Sequence, residues 1–140
     1  MTLKSLLSLW AHIRAAGHMY QTMHWQSRGP VAYADHLLFE RLYSARAEEL
    51  DGLAELIAGE YGSDKLDPVS AWASAAPIIG KMLHAGSPIA VADAVLRAVE
   101  ECNAECANAP HPASVQNFVS GVGTSNLTAM YLLQQRFGKQ

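Results

Sequence analysis

Apolar residues along this chain recur at three- and four-residue intervals, and no run alternates as a half-buried strand would, so the pattern predicts an all-α fold. Leu3, Leu6, Leu7, Trp10, Ile13, Gly17 and Tyr20 form one stripe that runs into His24. Ser27, Arg28, Gly29 and Pro30 then make a turn, and a second periodic segment covers about 32–60, with Gly62 just past its end where glycine closes a helix. These two segments predict an antiparallel hairpin. Three later helix starts carry proline at the first helical position, in Asp67-Pro68, Ser87-Pro88 and His111-Pro112. The segment 69–82 is short and interrupted by Pro77, which predicts a connector, whereas 89–108 and 113–137 are long enough to complete the set. The expected architecture is a four-helix bundle with a short helix in the connection between helices 2 and 3.

Composition narrows this further. The 140 residues are 50% apolar and 16% charged, enough for one sizeable core, so residues 1–140 are expected to form a single domain. A formal net charge of −3 provides no overall basic field for nucleic acid or an anionic membrane. Cys102 and Cys106 stand four apart in a helical segment, a poor placement for a disulfide, and reduced thiols fit a cytoplasmic protein. Leu6, Leu7, Leu9 and Trp10 are interrupted by His12 and Arg14, too broken a run for a secretory core or a membrane span.

The chemistry concentrates between His24 and Glu55. Along the second helix Leu38, Leu42, Ala45, Leu53, Leu56 and Ile57 gather on one side, and His36, Glu40, Asp51 and Glu55 lie roughly opposite. The gaps on that polar face hold Ala47, Ala54 and Ala58, small side chains that let another backbone approach, which reads as an interface. His24 and His36 are symmetric about the turn, so the hairpin sets them side by side. Asp51 is 15 residues beyond His36, about 22 Å along a helix, and one metal cannot span that gap. Its own hairpin partner is the stretch from Leu7 to Trp10, which offers no ligand. If these four residues share a metal, His24 and His36 come from one chain and Asp51 and Glu55 from a second, across a two-fold axis. Imidazole with carboxylate suits Fe(II), Mn(II) or Zn(II). Spacing alone also accommodates a hydrogen-bonded core histidine and a solvated acidic pair.

The run His24-Trp25, Gly29-Pro30, His36, Phe39-Glu40, Tyr43, Asp51 and Ala54-Glu55 resembles the signature of the Dps-type mini-ferritins in residue type and interval over about 35 residues. The resemblance implies a ferritin-like four-helix bundle and a twelve-subunit homo-oligomeric shell built from two-fold dimers. It implies ferroxidase centres, di-iron or mono-iron, at the dimer interfaces, with hydrogen peroxide or oxygen as electron acceptor and ferric mineral stored inside. His24, His36, Asp51 and Glu55 would then be the iron ligands, Glu40 an accessory ligand, and Trp25 a neighbour that intercepts stray oxidising equivalents. Zn or Mn would substitute for Fe. No Glu-x-x-His pair occurs, which disfavours a di-iron site buried inside one bundle.

The chain also departs from that pattern. Leu37 and Arg41 flank the ligand stripe where family members often carry acids, and no Asp or Glu follows Glu105. DNA binding in the family relies on basic tails, but here Lys4 stands alone near the N-terminus and Arg136 and Lys139 near the C-terminus, so strong DNA binding is not expected. Cys102, Cys106 and His111 would leave a structural zinc site one ligand short. The alternative to an iron-oxidising, iron-sequestering enzyme is a non-enzymatic cage or interaction protein with a structural metal site.

Overall fold

The computed structural model describes residues 2–108 and 111–138, over which every regular element is a helix; Lys139 lies outside the described residues. The helices are α1 (Thr2–Gln26), α2 (Ala32–Tyr61), α3 (Pro68–Ala85), α4 (Pro88–Cys106) and α5 (Ala113–Phe137), with a single 3-10 turn, Ser63–Lys65, between α2 and α3. The boundaries follow local chemistry. Asp67 accepts a hydrogen bond from the Ser70 N–H and Ser87 one from the Ile89 N–H, each capping a helix that opens on proline. Pro112 sits one position earlier than expected, at the cap of α5 itself. Gly62 ends α2 at φ 106°, a backbone region that strains any residue with a Cβ.

Helix α1 packs beside α2 and α4, and α5 packs beside the same two, so the four long helices close a ring. Every neighbouring pair is antiparallel. Trp10 meets Leu50 and His24 meets His36 between α1 and α2, Asp35 meets Arg136 and Arg46 meets Asn126 between α2 and α5, and Asn126 meets Ala92 between α5 and α4. It follows that α2 and α4 run parallel, and a short loop cannot join them. The turn and α3 supply the crossover.

The connector is longer than the sequence predicts. Helix α3 has 18 residues and continues through Pro77. The proline and Ala73, whose carbonyl loses its N–H partner, are both exposed, so water can satisfy that carbonyl. Burial of Ala71, Ala75 and Met82 holds the opposite face. Near its start α3 is pinned to α1 by Arg14, whose guanidinium carbon lies 4.8 Å from the Trp10 ring centre and 5.6 Å from that of Trp72.

The core joins Leu6, Leu9, Ile13 and Tyr20 of α1 to Phe39, Leu42, Leu53 and Ile57 of α2, Val91, Val95 and Val99 of α4, and Val115, Val119 and Leu133 of α5. Helices α2 and α5 pass closely at Gly52, where a Cβ would stand 2.7 Å from the Phe118 ring and force that ring to shift. The buried positions of α2 are Asp35, Phe39, Leu42, Arg46, Leu53 and Ile57. Leu38, Ala45 and Leu56, expected in the core, are only half-buried, because the inward stripe is rotated slightly toward Phe39 and Arg46.

Candidate metal centre

Helix α1 ends at Gln26, so the His24 carbonyl belongs to the last turn, where backbone acceptors lack helical partners. His36 fills that need. Its Nδ1 lies 3.2 Å from the His24 carbonyl, and reciprocally His24 Nδ1 lies 2.8 Å from the His36 carbonyl. A carbonyl only accepts, so in each ring Nδ1 is the protonated, donating nitrogen and Nε2 is left with the lone pair. The two rings stack with centroids 3.7 Å apart and an interplanar angle of 24°. Tyr43, two turns along α2, sets its ring edge-on to His24 at 5.3 Å.

Glu40 lies one turn beyond His36, and one ligand atom from each of His24, His36 and Glu40 falls within 4.8 Å of the others. The histidines are half-buried and Glu40 is exposed. Among the described residues this is the single His/Cys/Asp/Glu grouping tight enough for a metal ion. Histidine ligands oriented through a ring N–H to a backbone carbonyl are the usual supporting arrangement of metal sites. The donor set of two nitrogens and a carboxylate oxygen fits a first-row divalent cation and leaves coordination positions open.

Trp25 is 61% exposed and shares an open depression of about 510 Å³ with His24, Tyr33 and His36. Asp51 and Glu55 are not part of the cluster. They are exposed farther along the unbroken α2, near the level of Trp10, whose indole N–H donates to the Leu50 carbonyl at 2.9 Å. Within one chain the five residues therefore divide into a histidine end with Glu40 and an acidic end with no histidine.

A second polar cluster lies inside the bundle. Arg46 is 2% exposed and donates to Glu49 at 2.6 Å, Ser125 at 2.9 Å and Asn126 at 3.2 Å; Asn126 in turn donates to the Ala92 carbonyl. Burial pushes the Glu49 carboxyl above its ordinary range despite the adjacent guanidinium, and burial holds the Tyr20 phenol well above its own. Reading α2 from its apolar periodicity overlooks this network. The available signal is that Arg46 falls in register with Phe39, Leu42, Leu53 and Ile57, and Asn126 with Val122, Ala129 and Leu133. A guanidinium at the bundle centre repels a second cation, which agrees with the missing Glu-x-x-His pair.

The cysteines are free. Cys102 is buried, its thiol donates to the Ser5 carbonyl, and burial pushes its pKa up to about 12. No helix among the described residues is long and apolar enough to cross a membrane.

Comparisons of the chain with protein-family models, with curated proteins and with solved structures gave no match.

Proposed function

We propose that the protein is an iron-oxidising, iron-sequestering mini-ferritin of the Dps type, with its ferroxidase centre shared between two copies of the chain. The observation that carries this reading is the reciprocal imidazole clamp, which leaves both Nε2 atoms of His24 and His36 available beside Glu40. Three ligand groups from one chain form half a centre. Asp51 and Glu55 of a second, antiparallel chain would supply the remaining carboxylates, and the two-fold would create two equivalent sites.

In this reading Fe(II) is the substrate. Two ferrous ions each give one electron to hydrogen peroxide, which takes up two protons and leaves as two waters; oxygen is the other acceptor. The chain holds the ions, fixes the imidazole tautomers and offers carboxylates that favour the higher ferric charge. Trp25 stands close enough to accept a stray oxidising equivalent. A cytoplasmic, twelve-subunit cage that stores the ferric product and binds DNA weakly or not at all completes the proposal.

The test is aerobic addition of Fe(II), followed by the growth of ferric absorbance. The wild-type chain is expected to oxidise iron, and the His36→Ala, Asp51→Ala double variant is expected to fall to the background rate. Equal rates in the two proteins would end the proposal.

A further inference from the structure

A pocket of about 320 Å³ opens between α1, α2 and Trp72 of α3, at the lower end of the roughly 300–1,000 Å³ typical of small-molecule sites. Ile13 and Leu50 contribute apolar surface to it, and His18, Gln21 and Tyr43 contribute polar atoms. Two arginines border it and no acid does. Arg46 is 2% exposed; its terminal nitrogens are taken by Glu49, Ser125 and Asn126, and its Nε is buried without a partner. Arg14 is the cation left to bind something. It forms no ion pair among the described residues, and its Nε is also buried and unpartnered. Its guanidinium lies over the Trp10 and Trp72 rings, so the in-plane N–H donors are what remain to bond.

The charges nearby are engaged or directed elsewhere. Arg41 and Glu48 stand well over 100° around α2 from Tyr43 and Leu50, on the flank turned away from α1. Glu40 and Asp51 lie along α2 to either side of the pocket, and in the reading above their charge is met by the metal. Asp67 borders a smaller depression that also touches Arg14 and Trp72, but one of its oxygens caps α3, accepting from the Ser70 N–H at 2.9 Å and the Ser70 hydroxyl at 2.7 Å. Gly17 lies against Arg46 and Trp10 against Leu50, so Arg14 stands level with the stretch between Arg46 and Leu50, near the middle of a contact that pairs His36 with Glu55. A two-fold across that contact returns each α1 to the same side, so a second copy would meet this pocket with its own counterpart and a second Arg14.

We propose that this pocket binds a small organic carboxylate, with its anionic end on the edge of Arg14 and its apolar body against Ile13, Leu50 and Trp72. A guanidinium edge matches the two oxygens of a carboxylate with parallel hydrogen bonds, and the acid-free lining selects against a cation. The volume limits the body to a short chain or a single ring. One chain makes the whole site, so it does not rest on the shared-centre reading; a second copy seated on the α2 stripe would enclose the ligand between the two pockets.

The experiment is calorimetric titration of the full chain with benzoate in a chloride buffer, with benzamide, its uncharged counterpart, run alongside. Saturable binding of benzoate is expected, with benzamide at least about tenfold weaker because the charged hydrogen bonds are lost. Arg14→Gln is expected to weaken benzoate by a similar factor and to leave benzamide nearly unchanged. Arg14→Lys should fall in between, since it keeps the charge and loses the planar fork. Arg28→Gln alters the depression beside the histidines instead and is expected to leave both titrations as they are. Arg14 also stacks on two tryptophans, so each variant is melted first; if Arg14→Gln fails to fold, the benzoate and benzamide titrations of the wild-type chain decide. Absence of saturation, or equal affinity for the two compounds, would overturn the site, as would a loss in Arg28→Gln matching that in Arg14→Gln. Iron oxidation is measured separately, and its absence would leave this pocket standing.

Discussion

At the turn end of the α1–α2 hairpin, two histidines and a glutamate share a half-exposed cluster; at mid-bundle, an arginine and a glutamate share a more deeply buried one in which the two charges pair with each other. Both contain nitrogen donors and a carboxylate, and both sit on α2. They differ in which partner supplies the positive charge. Inside the bundle it is covalent, the Arg46 guanidinium, so the network is complete in charge without any ligand. Near the turn the rings are clamped by carbonyls through Nδ1, and positive charge would come from the proposed metal. The lesson is that the buried cluster carries its own cation, whereas the surface cluster does not, and it is the surface cluster that groups ligand atoms closely enough for the proposed metal.

The most severe way to break this contrast is Arg46→Ala. It strands the Glu49 carboxylate and the Asn126 amide in the core, and removing one partner of a buried pair is expected to cost about 3–5 kcal/mol in urea unfolding. Zn(II) affinity at the histidine cluster should change little. His36→Ala is the mirror experiment: metal affinity, measured by calorimetry, should fall by more than the roughly 10–100-fold that losing an outer partner of a ligand costs, while unfolding stability should barely move. Asp35→Ala probes the connection between the two regions. Asp35 is buried beside His36 and receives two hydrogen bonds from Arg136, at 2.6 and 3.0 Å, which tie the start of α2 to the end of α5. Its loss is expected to cost about 1–2 kcal/mol of stability, since Arg136 is partly exposed, with only a modest fall in metal affinity.

The smallest effect is at the far end of the bundle, where neither cluster reaches. His111 is buried, with its Nδ1 2.8 Å from the Tyr61 hydroxyl and its Nε2 without a partner among the described residues. Burial lowers its pKa, and the attraction of Glu105 only partly opposes this. In the unfolded chain the imidazole takes up its proton near its ordinary value, and in the folded chain only at lower pH. The unfolded state therefore binds more protons in between, and stability should decline as pH drops below about 6.5. Thermal melts across pH 5 to 8 check this, and His111→Gln should flatten the slope.

Much of this was legible because helical periodicity is a one-dimensional signal. The Ser27–Pro30 turn, the Asp67 and Ser87 caps and Gly62 are local chemistry, and they locate the helix ends to within a residue or two. The His24–His36 juxtaposition follows from symmetry about a tight turn, and Glu40 joins by being one helical turn away. Helix α3 was harder: Pro77 reads as a break, and its tolerance depends on facing solvent, a property of tertiary packing. Arg46 was hidden for a related reason. A charged residue on an apolar stripe is ordinarily assigned to the surface, and only α5, 80 residues later, brings the Asn126 that takes it in. Asp51 stands too far along α2 from His36 to share its metal within one chain, so the proposed meeting of the two ends was legible only as a contact with a second copy.

The three tryptophans occupy three distinct environments: Trp10 is 8% exposed between α1 and the Leu50 carbonyl, Trp72 is half in solvent against Arg14, and Trp25 borders the histidine pair. The molecule thus carries its own optical probes. With Trp10 and Trp72 replaced by phenylalanine, emission from Trp25 would gauge the proposed arrival of ions at the imidazoles, through quenching by a paramagnetic metal. A chain retaining Trp72 alone reports instead on whether the crossover helix has docked.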